Sequence, residues 1–184
     1  NKKFHFKLIH TGQHYDKLMS EVFFNDLNIQ KPDYNLNIKR SSQNSQIAEI
    51  MLSLEKKCLD DKPDVIFVFG DVNSTLAASI TAKKLGLLLI HYEAGLRSHD
   101  RKMSEEINRL ICDSVSDYFF CTEETAIYNL TREGKSSDQI FHVGNLMIDS
   151  LFNQLKKVKN KHRDIKEYAV LTMHRPSNVD SEYN

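Results

Sequence analysis

Leu87-Leu88-Leu89-Ile90-His91-Tyr92-Glu93-Ala94-Gly95-Leu96-Arg97-Ser98 is an apolar run that ends abruptly in ionisable residues and a glycine. Ser104-Glu105-Glu106-Ile107-Asn108-Arg109 follows, a helix start with two adjacent carboxylates. The pattern has occurred once already upstream, where Val65-Ile66-Phe67-Val68-Phe69 runs into Gly70-Asp71-Val72-Asn73-Ser74. A short continuous apolar run reads as a strand of the buried, parallel kind. A polar loop and a helix start directly after such a strand mark the edge where an open α/β sheet binds its ligands.

The same rhythm extends in both directions. Phe4 to His10 alternates like a strand, and Thr11 to His14 reads as a turn. Leu18, Met19, Val22 and Phe23 then stand at helical spacing within Asp16 to Phe24. Tyr34 to Ile38 is a short strand, and Ile47, Ile50, Met51 and Leu54 mark a helix that starts among Ser41, Ser42 and Asn44. Asp64 to Phe69 is a strand, Ser74 to Leu85 a helix stopped by Gly86, and Leu87 to Tyr92 a strand. A helix opens near Ser104, Tyr118 to Cys121 is a strand, and Glu123 to Arg132 is a helix ended by Gly134. Ile140 to Val143 is a strand and Leu146 to Leu155 a helix. Lys156 to Lys166 is a charged connector, and Ala169 to Met173 a final strand. Strands that alternate with helices in this way predict an α/β protein with a doubly wound parallel sheet.

The totals bound the function. With 184 residues, 25 basic and 25 acidic side chains cancel, so no global field favours nucleic acid or an anionic membrane. No apolar run approaches the ~20 residues of a membrane span. Cys58, Cys112 and Cys121 sit apart in apolar segments without CxxC spacing, which predicts buried thiols and a reducing cytoplasmic setting.

The strand ends deliver Gly12-Gln13-His14, Gly70-Asp71, Glu93-Ala94-Gly95, Thr122-Glu123, Gly144-Asn145 and His174-Arg175 to one edge. Asp71 suits either a cap for the next helix or catalysis. Glu93, directly after a buried strand and beside Gly95, suits proton transfer, because burial raises a carboxyl pKa; its alternative is a salt bridge to Arg97. Glu105 and Glu106 suit the positive end of a helix dipole, and Glu105 stands at i,i+4 to Arg109. Beside Asp71 and Glu93 they also form a candidate carboxylate cluster that could split acid and base roles. His174 and Arg175 suit phosphate binding or an ordinary surface turn. The Gly-Asp-x-Asn pattern at Gly70 lacks the further ligands of a metal phosphoesterase, so no metal is expected.

Thr11-Gly12-Gln13-His14-Tyr15-Asp16, Gly70 to Thr75, His91 to Ser98, Glu105 to Arg109, Val143-Gly144-Asn145 and Thr172 to Asn178 resemble, in order and spacing, the non-hydrolysing UDP-N-acetylglucosamine 2-epimerase family. The resemblance covers nearly the whole chain. It implies a GT-B-type fold, in which two Rossmann-like domains enclose the active site. It implies interconversion of UDP-GlcNAc and UDP-ManNAc without a redox cofactor, by elimination of UDP and its re-addition. The family's catalytic positions fall on Asp71, Glu93, Glu105 and His174. Its substrate-binding positions fall on Gln13, His14, Arg97, Glu106, Asn108, Arg109, Arg175 and Asn178. A homodimer is expected of the whole enzyme, with a UDP-sugar as its small-molecule partner.

This sequence departs from the family pattern in having Ser104 where proline is usual. Nothing in it corresponds to the opening strand and its G-T-R-P-E loop. The expected organisation is therefore an internal fragment of a longer protein. Residues 1–155 would form a Rossmann-like domain without its first strand, and residues 156–184 a linker with the first strand of a second domain. Alone, such a chain is expected to be inactive, and its strands at Phe4–His10 and Asp64–Phe69 to remain unpaired with each other. Alternative readings are a hydrolysing epimerase, a paralogue for another UDP-HexNAc sugar, and a nucleotide-sugar binding module without turnover.

Overall fold

The computed structural model describes residues 4–12, 24–38, 42–157 and 167–173. The chain divides into two compact units, residues 1–150 and 151–184, a boundary inside the last helix and five residues before the expected one at 155. Gln13, His14, His174, Arg175 and Asn178 lie outside the described residues, as do all but Phe24 of the helix expected over Asp16 to Phe24 and most of the charged connector.

In the first unit, β1 (Ile9–His10) pairs in parallel with β2 (Tyr34–Asn35). A second, four-stranded sheet runs β3 (Val65–Phe69), β4 (Leu88–Tyr92), β5 (Tyr118–Cys121) and β6 (Ile140–His142), all parallel. β1 and β3 belong to different sheets and do not pair. Both early strands are shorter than the alternation at Phe4–His10 and Tyr34–Ile38 suggested.

The helices are α1 (Gln43–Asp61), α2 (Asn73–Lys84), α3 (Ser104–Val115), α4 (Glu124–Arg132) and α5 (Leu146–Leu155). Ser42 caps α1, its side chain accepting from the Ser45 N–H, and Lys62 ends that helix in the left-handed region at φ 48°. Gly134, at φ +83°, supplies the turn just beyond α4.

Strand order in the larger sheet advances one neighbour at a time. Right-handed crossovers then carry every connecting helix to the same face. Accordingly Ala82, Val115, Ala126 and Leu130 from α2, α3 and α4 pack over Val68, Leu89, Phe119 and Cys121. α1 joins this layer by packing on α2 through Ile50 and Ala77, with Ile38 from the segment after β2 in the same cluster. The opposite face carries Phe67, Phe69, Phe120 and Phe141, with successive ring centroids 4.8–5.7 Å apart. Phe67, Phe69 and Phe141 are exposed there, so the sheet is not buried on both faces as the apolar run of β3 suggested. A one-directional strand order explains this, since no described crossover returns to that side.

The three thiols of Cys58, Cys112 and Cys121 are free and buried. No described helix is long and apolar enough to cross a membrane. In the second unit, residues 167–173 form no strand, although Ala169 to Met173 has the composition of one. A strand exists only through hydrogen bonds to a neighbour, and this segment has none among the described residues.

Candidate active site

The register of β3 against β4 pairs Phe69 with Tyr92, so the two strands end level. Gly70 N–H donates to the Tyr92 carbonyl at 3.0 Å, and Glu93 N–H donates to the Phe120 carbonyl at 2.9 Å. These bonds set Asp71 and Glu93 side by side at the carboxyl edge of the sheet. Gly70, at φ +65°, turns the chain here, and Glu93 Oε2 lies 3.5 Å from where a β-carbon on Gly70 would stand. A β-carbon at position 70 would stand in ordinary van der Waals contact with the carboxylate, so a side chain there is disfavoured by the left-handed backbone and not by lack of space.

Glu93 adopts φ +70°, the left-handed region that glutamate rarely occupies. The conformation costs about 1–2 kcal/mol. Strain of this kind concentrates at working sites, where the surroundings over-determine it. Burial pushes the Glu93 carboxyl above its ordinary pKa, and the charge of Asp71 pushes the same way; Arg109 and His91 oppose both. The group is thereby brought toward the range useful for proton transfer near neutrality.

Asp71 does not cap α2. The N-cap is Val72, which offers no side-chain bond. Instead Asp71 Oδ2 accepts from Arg109 Nε at 3.0 Å and Nη2 at 2.6 Å. Asn108 Nδ2 donates to the Asp71 carbonyl at 2.7 Å, fixing the backbone of the same loop. Arg109 also donates from Nη1 to Glu106 Oε2 at 3.0 Å, so its partners are Asp71 and Glu106, and the expected pair with Glu105 is not formed.

Glu106 is 2% exposed and accepts from the Ser98 N–H, the Ser98 hydroxyl and the His99 N–H. Burial works to raise its carboxyl, but these bonds and Arg109 outweigh burial and hold it below the ordinary carboxylate value. Glu105 is exposed at the same helix start, where its carboxylate accepts from the Ser104 hydroxyl at 3.1 Å. No described hydrogen bond or ion pair joins Glu105 to Asp71 or Glu93.

Arg97 does not reach Glu93 either. Its side chain is 2% exposed. It donates to Asp113 Oδ2 at 2.7 Å from Nη1, and to Glu133 from Nε and Nη2 at 2.8 and 2.6 Å. Thus Arg97, Glu106 and Asn108, expected on the substrate, spend their polar atoms on protein partners in this conformation. A side chain sealed in this way orders the loops and presents little of itself to a ligand.

Sequence reading missed His91, Asp113, Glu133 and Tyr92. One signal was available. Glu106, Arg109 and Asp113 recur at spacings of three and four, a polar stripe on one face of α3 at core spacing. Tyr92 hydroxyl donates to the Gly144 carbonyl at 2.9 Å and accepts from the Leu146 N–H at 2.8 Å, which ties the Gly144-Asn145 loop to the end of β4. Among the described residues no cluster of histidine, cysteine and carboxylates could hold a metal ion.

The family model for UDP-N-acetylglucosamine 2-epimerase matches residues 1–184. A UDP-N-acetylglucosamine 2-epimerase of Methanococcus maripaludis is 42% identical over 185 residues, covering 96% of this chain and 50% of the relative. A UDP-2,3-diacetamido-2,3-dideoxy-D-glucuronate 2-epimerase of Pseudomonas aeruginosa is 41% identical over 177 residues, covering 94% of this chain and 50% of the relative. The crystal structure of Methanocaldococcus jannaschii UDP-GlcNAc 2-epimerase in complex with UDP-GlcNAc and UDP superposes with a TM-score of 0.82. That structure is 44% identical and is matched over 85% of this chain and 43% of its own. The chain spans about half the length of the curated relatives it matches. It belongs to the UDP-N-acetylglucosamine 2-epimerase family.

Proposed function

We propose that this chain supplies the carboxylate half of the active site of an enzyme that interconverts UDP-GlcNAc and UDP-ManNAc. The observation that carries the reading is the pair at the sheet edge. Asp71 is ion-paired to Arg109, while neighbouring Glu93 is half-buried, strained and raised in pKa. Two adjacent carboxyls with different environments can divide base and acid roles.

In the proposed reaction a carboxylate removes the C2 proton as the C1–O bond to UDP breaks, giving 2-acetamidoglucal and free UDP. UDP then adds back to C1, and a proton is delivered to the opposite face of C2. Glu93 is assigned to proton transfer, with Asp71 beside it. Glu105 and His174 are assigned to the same chemistry, and Gln13, His14, Arg175 and Asn178 to the nucleotide sugar. Arg109 holds Asp71 in place. Arg97, Glu106 and Asn108 are assigned to bracing the loops. UDP-GlcNAc and UDP are the ligands of the Methanocaldococcus structure, which supports this substrate class.

The Pseudomonas relative favours a second reading, a 2-epimerase for a more heavily substituted UDP-hexose acid. One experiment separates them. A protein of full family length carrying these residues is incubated in D2O with each UDP-sugar and followed by NMR. Deuterium at C2 with UDP-ManNAc formation supports the first reading. Exchange only with the diacetamido glucuronate supports the second. Release of UDP with free ManNAc indicates the hydrolysing variant, and no exchange with any sugar refutes catalysis. Glu93→Gln should lower turnover by about 100-fold or more, the usual worth of a general acid or base. The 184-residue chain alone should show no turnover.

A further inference from the structure

We propose that His91 is a cationic positioning residue, whose imidazolium ties the loop carrying Asp71 to the loop that follows Glu93. His91 is fully buried in the middle of the molecule's polar edge. Its Nε2 lies 2.8 Å from the Gly70 carbonyl oxygen, and its Nδ1 lies 2.7 Å from Asp113 Oδ1.

A carbonyl oxygen only accepts, so Nε2 carries a proton. Asp113 is itself surrounded by donors: Gly95 N–H at 3.0 Å and Arg97 Nη1 at 2.7 Å both reach its Oδ2. One of these donors is the guanidinium of Arg97, so the carboxyl is the anion of a buried ion pair and only accepts. Nδ1 therefore carries a proton as well. With one nitrogen bare, a lone pair would face a carboxylate oxygen in a site without water to separate them. The charges then balance: the cations His91 and Arg97 face the anions Asp113 and Glu133.

This arrangement fixes two loops at once. One end of the imidazolium grips Gly70, the residue before Asp71. The other end grips Asp113, which holds Gly95 and Arg97, the residues after Glu93. His91 is itself on β4, two residues before Glu93, and its charge opposes the burial-driven rise of that carboxyl. The groups whose charge reaches Glu93 are thus Asp71, Arg109 and His91; those facing His91 are Asp113, with Arg97 behind it, and Glu93.

The inference rests on the epimerase reading for its kinetic arm alone. In the full-length protein labelled with 15N-histidine, NMR at neutral pH should show protons on both ring nitrogens of His91. A ring with one bare nitrogen would overturn the proposal whatever the enzyme's substrate. His91→Gln keeps one donor for Gly70 and removes the charge. Its kcat should fall by about 100-fold, the cost of misplacing reacting groups by an ångström, with KM nearly unchanged. The acidic limb of the pH–rate profile should move to higher pH, because Glu93 loses a neighbouring cation. A changed KM with an unmoved limb would overturn the positioning role. If His91→Gln fails to fold, the NMR measurement on the unaltered protein still decides.

Discussion

Replacing Gly95 by alanine would place a β-carbon 2.4 Å from the Ala126 carbonyl oxygen, 2.9 Å from its carbon and 3.0 Å from Leu130 Cδ1. Two of those three atoms are backbone in α4 and cannot swing aside. Overpacking of this kind costs about 1–3 kcal/mol. Gly95 also sits at φ +82°, which adds about 1–2 kcal/mol for any L side chain. The sum is about 2–5 kcal/mol. With a urea m-value of about 2 kcal/mol/M, the unfolding midpoint should drop by about 1–2.5 M. Gly134→Ala is the matched control: its φ is +83°, yet nothing lies within 4 Å of the added carbon. It should lose only the backbone part, about 0.5–1 M on the same scale. Both variants are measured by urea denaturation in the full-length protein. Equal shifts for the two glycines would refute the close approach of the Glu93 loop to α4. Gly95→Ala should also depress turnover, since the methyl pushes on the loop that holds Glu93.

Glu93→Gln should raise stability at neutral pH even as it removes turnover. A carboxyl whose folded pKa lies above its unfolded value binds more protons when folded, so it weakens the fold as pH rises through that window. The variant's advantage should therefore vanish in acid, below the ordinary carboxylate value, and thermal melts at both pH values check it; a constant difference would count against the raised pKa. Tyr92→Phe should leave the Leu146 N–H and the Gly144 carbonyl without their shared partner. A loss of about 1–3 kcal/mol is expected, with faster hydrogen exchange at the Leu146 amide; unchanged exchange there would exclude the tether.

The strand-and-loop grammar was legible because it rests on single-strand signals. Apolar runs, glycine stops and cap residues placed β3 to β6, α2, α4 and α5 within a residue or two, and the starts of α1 and α3. What the grammar could not supply was the facing of the sheet. The run Val65 to Phe69 looks equally apolar whether one side is covered or both. Only strand order decides which way the crossovers go, and order is a relation between segments. Ala169 to Met173 failed for the same reason: its composition permits a strand, but a neighbour must exist for one to form.

The site divides along a similar line. Asp71 and Glu93 were readable because each follows its strand directly, and level strand ends bring them together. Their supports were not readable, because a buried ion pair is a match between distant residues. Arg97 was expected on the substrate or paired with Glu93, yet its partner at 2.6 Å is Glu133, 36 residues away in sequence. This difference has a physical consequence. The exposed tip of the site is chemically simple, two carboxylates and one arginine, whereas holding Glu93 in the left-handed region needs a rigid frame. His91, Asp113 and Arg97 form that frame out of water, and the exposed Glu133 carboxylate closes it at the surface on Arg97. Removing His91, Asp113 or Arg97 leaves the remaining buried charges uncompensated, at about 3–5 kcal/mol. The strained glutamate and the sealed ion pairs are therefore two parts of one arrangement: the frame makes a strained conformation the stable one, and that conformation sets the Glu93 carboxyl beside Asp71.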